Sequence, residues 1–335
     1  MPVAWEVSET LDLETAQPVS RKTVHRAAVA EVFLTGGVQL DGKHFQCSAQ
    51  LPRTNIYFND TRSREPHYDL MLLLETFRQA SIYVSHTFIG VPKDQSFVYL
   101  ESETELLRPD RLKIGNVPCA VVIDVRVVAE HRRRGVLQGV TFDMALLVNG
   151  RAAAQHHGMS IQWMSRELWA RMREKALSRI PGGGDARCTQ VPPACPDAVG
   201  RNQPGNVVIG RDLAIDNDVL SSTLLVPFEN GAIFDHPLDH IPGMLLLEAF
   251  RQTAMLAAGE FLRLDPLALA FHRCKVAFGQ FGEFGLPTHC HVRKANVLLD
   301  RADNVLHVSD LVLEQSGVTI ASASVSFVCY EDASR

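Results

Sequence analysis

The sequence predicts an α+β fold built twice over, each half one long helix lying against a curled antiparallel sheet. Three observations carry this. A nine-residue stretch recurs almost unchanged, each copy opens a helix that is apolar on nearly every side, and strand-like segments follow each helix.

The repeat sets the domain organisation. MLLLETFRQ (Met71 to Gln79) falls on MLLLEAFRQ (Met244 to Gln252) at an offset of 173 residues, differing only at Thr76 against Ala249. The same offset puts His67 on His240 and Phe88 on Phe261. We therefore place an N-terminal domain at 20–164 and a C-terminal domain at 206–332, joined by a helix and a Gly/Pro-rich linker over 165–205. In that connection SRELWARMREKALSR (Ser165 to Arg179) reads as a charged helix whose Arg and Lys residues form a solvated face.

The strands come next. VVIDVRVVA (Val121 to Ala129) is long and β-branched, and VTIASASVSFVCY (Val318 to Tyr330) alternates apolar with small or polar residues at period two. EHRRRG (Glu130 to Gly135) and LDRADN (Leu299 to Asn304) sit where hairpin turns belong.

The helix from Met244 to Leu262 carries charge where a wrapped helix should carry none. A buried carboxylate must be paired, protonated or facing a cavity, and Arg251 and Gln252 stand at i+3 and i+4 from Glu248. Two readings stay open. Glu248 and Arg251, like Glu75 and Arg78, form a buried pair that fixes helix packing. Alternatively Glu248 lines a substrate tunnel as acid or base, its pKa moved by desolvation.

Just upstream, Pro242 and Gly243 suit a tight helix entry with backbone N–H groups pointing forward, able to hold an oxyanion. His236 and His240 flank Asp239 in this turn, and His67 repeats only His240.

Bulk properties exclude several classes. At 335 residues, 46% hydrophobic and 21% charged, with a net charge of -5, the chain is globular and has no general basic field for nucleic acid. Seven scattered cysteines without a CxxC pair indicate neither a disulfide framework nor a zinc knuckle, and reduced thiols in a cytoplasm fit best. The acidic N-terminal stretch has no secretory pattern, and no apolar run approaches the roughly 20 residues of a membrane span. HCH (His289 to His291) puts two histidines on one side of a strand without a third ligand, so no metal and no cofactor is expected.

HPLDHIPGMLLLEA resembles the signature of 3-hydroxyacyl-carrier-protein dehydratases of the hotdog fold, with Glu248 on the catalytic acid. That pattern has two more residues between its histidine and Pro-Gly, so His236 aligns only through a deletion. The chain is more similar to the A-factor biosynthesis (AfsA-like) tandem hotdog family of γ-butyrolactone synthases. The resemblance rests on Asp235 to Gln252, on His67 to Ala80 and on FGQFGEF at Phe278 to Phe284.

The resemblance implies a tandem hotdog whose halves form a pseudo-dimer, with His236 or His240 facing Glu75 and His67 facing Glu248. It implies transfer of a β-ketoacyl group from acyl carrier protein to the hydroxyl of dihydroxyacetone phosphate, the first step toward a butyrolactone or butenolide signal. Glu248 or Glu75, helped by His240, His236 or His67, would be the base, with the N–H groups of Gly243 and Met244 on the oxyanion. Arg251 or Arg78 would hold the phosphate, beside Gln252 and Gln79, and Arg273 and Lys275 are second choices. EHRRRG could dock the carrier protein. A thioesterase or dehydratase on acyl carrier protein or coenzyme A substrates, and an acyl- or lactone-binding protein without catalysis, are the alternatives, and association into a homodimer is left open.

Overall fold

The computed structural model describes residues 15–63, 66–178, 191–216, 218–293, 296–299 and 305–329. It divides into two units, one running to Asn59 and from Leu70 to Arg171, the other comprising Asp60–Asp69 and the chain from Met172. In the first, β1 (Leu34–Gln39) and β2 (His44–Leu51) precede α1 (Leu70–Thr87), and β3 (Ser96–Leu106), β4 (Cys119–Arg133), β5 (Val136–Val148) and β6 (Arg151–Met164) follow it. All pairings are antiparallel, in the order β1-β2-β4-β5-β6-β3.

After α2 (Arg166–Leu177) the second unit repeats the plan. β7 (Ala214–Asp216) and β8 (Val219–Thr223) precede α3 (Gly243–Leu262). β9 (Leu269–Phe278), β10 (Thr288–Arg293), β11 (Asn296–Leu299), β12 (Val305–Gln315) and β13 (Val318–Cys329) follow it. The antiparallel order is β7-β8-β10-β12-β13-β9, with β11 pairing β12. Each element of the first order finds its counterpart in the second, which is the doubled plan that the repeat predicts and the tandem hotdog that the resemblance implies.

The central helices α1 and α3 are buried because they are apolar on nearly every side. Leu70 to Leu74 are all buried in α1, and Leu245 to Leu247, Ala249 and Phe250 in α3. Each such aliphatic side chain contributes about 1.5–3 kcal/mol relative to exposure. The strands supply the matching surface at period two: Val121, Ile123 and Val125 point inward from β4, and Ala321, Ala323, Val325 and Phe327 from β13. Arg134 (φ 51) and Gly135 (φ 82) make the two-residue turn expected within EHRRRG, with both central residues left-handed as a type I′ hairpin requires. The turn expected at LDRADN lies largely outside the described residues.

One expectation changes in detail. The 165–205 connection is helical from Arg166 to Leu177, but its described tail, 191–205, is built into the second unit and is no loose linker. Ala194, Val199 and Arg201 are buried there. Gly200 is left-handed (φ 66), and a Cβ on it would meet Met255 Sδ at 2.7 Å, so this glycine marks a close approach to α3. Cys47, Cys274 and Cys290 are unpaired and buried, and burial pushes each thiol up to about 12. No described helix is long and apolar enough to cross a membrane.

Candidate active site

The same four-residue brace occurs in both units. In the first, Glu75 accepts from Arg78 Nε (2.7 Å) and Nη2 (2.8 Å), from Gln79 Nε2 (2.8 Å) and from Arg26 Nε (3.0 Å), with Arg26 Nη2 at 2.7 Å. In the second, Glu248 accepts from Arg251 Nε (3.0 Å) and Nη2 (2.7 Å), from Gln252 Nε2 and from Arg201 Nε (3.1 Å), with Arg201 Nη2 at 2.9 Å. The glutamines do double duty. Gln79 accepts the Phe33 N–H and donates to the Glu31 carbonyl, and Gln252 does the same with Val208 and Asn206. Each brace therefore pins an arm ahead of the sheet to the first turns of the central helix.

Burial makes the braces strong. Glu75 and Glu248 are 0% exposed. Burial alone pushes the Glu75 carboxyl up, yet the charges of Arg26 and Arg78, with hydrogen bonds from Arg78 and Gln79, bring it down to about 2 from an ordinary 4.5. Glu248 feels the same opposition: burial raises it, and Arg201, Arg251 and Gln252 bring it below its ordinary value. Of the three states the sequence allows a buried carboxylate, the structure has the paired one. Arg251 is committed to Glu248 and 1% exposed, so a phosphate reaches it only by breaking that pair. Arg78 is partly exposed but tied to Glu75 in the same way. Arg273 and Lys275 stand exposed on β9.

Linkage gives a pH expectation. A carboxylate lowered on folding contributes stability that is fully present above about 4.5 and is lost as pH falls toward 2. On the order of 3 kcal/mol is at stake for Glu75, at about 1.4 kcal/mol per unit. The urea midpoint should fall between these pH values, and Glu75→Gln should flatten that slope. An unchanged slope in the variant would remove the brace as its cause.

The second group of residues lies at the start of α3. His240 Nδ1 stands 2.6 Å from Asp239 Oδ1. A carboxylate only accepts, so Nδ1 donates to Asp239, and in the neutral form of such a ring the lone pair falls on Nε2. Asp239 is held in turn by Arg173 of α2, through its Oδ2 (3.2 Å) and its carbonyl (2.6 Å). Arg173 also forms a two-point pair with Glu283 (2.7 and 2.6 Å) and lies over the Phe281 ring, 5.1 Å from its centroid. His240 meets the same ring edge-on. Arg173 is 4% exposed, so the solvated face expected of α2 does not include it. Its burial in ion pairs is the physical reason.

The FGQFGEF stretch closes this clasp. Ile241 N–H donates to the Gly282 carbonyl at 2.8 Å. A Cβ on Gly282 would meet Ile241 Cβ at 3.2 Å, so glycine lets the two backbones approach. Gln315 fixes the rest of the loop by accepting from Glu283 N–H (2.8 Å) and donating to Thr288 Oγ1 (2.7 Å). Beyond it α3 begins at Gly243, with Pro242 as an N-cap that places no side-chain hydrogen bond. As the first residues of the helix, Gly243 and Met244 have no intrahelical acceptor for their N–H groups.

His236 is more exposed and stands 3.9 Å from Asp235, and His67 lies half-buried ahead of α1, whose entry has Asp69 and Leu70 in place of Pro-Gly. His289 and His291 point Nδ1 at Thr223 and Ser221 across β10 and β8. Among the described residues no group of three or more His, Cys, Asp and Glu could hold a metal ion.

Comparison with known proteins agrees with this layout. The A-factor biosynthesis hotdog domain model matches residues 7–162 and again 185–331. A 2-oxo-3-(phosphooxy)propyl 3-oxoalkanoate synthase of Streptomyces virginiae is 34% identical over 237 residues, 70% of this chain and 76% of that protein. One from Streptomyces griseus is 27% identical over 283 residues, 82% of this chain and 85% of that protein. Among solved structures, an oleoyl thioesterase of Lactobacillus plantarum aligns with a TM-score of 0.52 at 13% identity, over 86% of this chain and 97% of that one. A polyketide synthase dehydratase domain of Brevibacillus brevis aligns with a TM-score of 0.50 at 14% identity, over 90% and 97%. At such identities these two likenesses speak to the fold alone. The family match covers nearly all of both repeats, helix entry, brace and FGQFGEF loop included, and on that ground the chain belongs to the A-factor biosynthesis hotdog (AfsA) family.

Proposed function

We propose that the chain is an acyltransferase that forms a 2-oxo-3-(phosphooxy)propyl 3-oxoalkanoate, moving a 3-oxoacyl group from acyl carrier protein to the hydroxyl of dihydroxyacetone phosphate. The relatives' shared name supports the reaction type. The observation that carries the assignment of residues is a histidine oriented by Asp239 immediately ahead of a helix entry without a side-chain cap.

His240 Nε2 takes the proton of the acceptor hydroxyl, whose oxygen then attacks the thioester carbonyl. The N–H groups of Gly243 and Met244 receive the oxyanion. Collapse expels the carrier thiolate, which regains a proton from the imidazolium. Asp239 fixes the tautomer and stabilises the charged ring, and Arg173 fixes Asp239. Glu248 and Glu75 act as positioning residues: they hold the arms and helices on which this geometry rests, while their carboxylates stay ionised.

The test is product mass. Purified protein with a 3-oxoacyl carrier protein and dihydroxyacetone phosphate should yield the phosphorylated ester, stoichiometric with released carrier thiol. Free 3-oxo acid or an enoyl thioester as the main product would replace this reading with hydrolysis or dehydration.

A further inference from the structure

The second unit has a cavity lined by residues that precede α3 and by the stretch 283–288 after β9. It measures about 560 Å³, within the roughly 300–1,000 Å³ of small-molecule sites. Val207, Leu224, Val226, Ile241, Phe284 and Leu286 are among its lining residues, and none of the described lining belongs to α3. It is therefore distinct from a channel along the central helix.

We infer that this cavity receives the hydrocarbon chain of the acyl donor, an inference that rests on the proposed transfer reaction. Its chemistry selects the occupant. Among the described residues no Lys, Arg or His lines it, so its described wall gives a phosphate no cationic side chain. Among the described residues its one ionisable wall residue, Glu283, is held in the two-point pair with Arg173. An uncharged alkyl chain meets apolar surface on most sides and displaces no ion pair.

Position and rigidity support the same occupant. Ile241, a wall residue, follows His240 directly in the chain, and Glu283, also on the wall, shares Arg173 with Asp239, which ties the cavity to the residues proposed to carry the chemistry. The wall stretch 283–288 is fastened by Gln315. Such a preformed site binds without the cost of ordering its own loops.

The probes are N-acetylcysteamine thioesters of 3-oxoacyl groups from six to twelve carbons, measured by calorimetry and, with dihydroxyacetone phosphate, by turnover. Affinity should rise about fourfold per methylene until the cavity is filled. Val226→Trp narrows the cavity and should shift the optimum at least two carbons shorter. Phe284→Ala widens it and should shift the optimum longer. Transfer with a chain-length profile that neither substitution moves would overturn the cavity assignment and leave the transferase reading standing. Binding with the expected shifts but no transfer to dihydroxyacetone phosphate would leave the cavity standing and sink the transferase reading.

Discussion

Replacing Glu248 by Gln should destabilise the C-terminal half by about 3–5 kcal/mol, the cost of leaving buried charges without their counter-ion. Arg201 and Arg251 are each about 1% exposed, and both direct their guanidinium groups at this carboxylate. An amide presents one acceptor oxygen and no charge. The change should be read as a lower urea midpoint with an unchanged slope, so that stability and not compactness is what moves. A compensating variant sharpens the test: adding Arg201→Met and Arg251→Met to Glu248→Gln removes the orphaned charges, and well-packed apolar replacements for buried ion clusters are often neutral or better. The triple variant should therefore recover most of the lost stability. If Glu248→Gln kept the wild-type midpoint and lost turnover alone, the carboxylate would be a reacting group and the brace would not explain it.

The second large effect belongs to His240. Its side chain is one-fifth exposed and Gln fills much of the same volume, so His240→Gln should keep the fold. It should lower kcat/KM by on the order of 10²- to 10⁴-fold, the usual contribution of a positioned general base. Asp239→Asn, which also weakens the pair with Arg173, should slow the reaction on the order of 10²-fold or more, because an amide can hold the ring in the wrong tautomer. Turnover by His240→Gln within about threefold of wild type would dismiss the proposed base. His236→Gln in parallel is the control, since His236 stands 3.9 Å from its nearest carboxylate and should have the smaller effect.

Much of this architecture is legible in the sequence, for a physical reason. A helix that must be wrapped on all sides needs apolar residues all round, and strands that cover it need period two, so both elements write their burial into local patterns. The hairpin at Arg134–Gly135 is readable because only certain residues accept left-handed backbone there. The helix entry at Pro242–Gly243 and its neighbour His240 are readable in the same local way. The brace is only half readable. Glu248, Arg251 and Gln252 share one helix face, but Arg201 reaches Glu248 from 47 residues away and Arg26 reaches Glu75 from 49. Those arms have no periodic pattern, and the second lies in a stretch whose prolines and glycines read as a linker. Arg173 was hidden by its company, since a helix as charged as α2 reads as solvated throughout, and only tertiary structure reveals the one guanidinium turned inward to Asp239 and Glu283. The sequence could show that Glu248 needs company, and not which side chain provides it.

The two arms also limit how this protein can be recombined. Arg26, Glu31 and Phe33 correspond to Arg201, Asn206 and Val208 with a spacing two residues longer than that between α1 and α3. Each arm is thus cut to length for its own helix. A chimera that exchanged the aligned helices alone would return each carboxylate to its place, whereas a crossover between arm and helix must carry the two-residue difference with it or move the guanidinium off its partner.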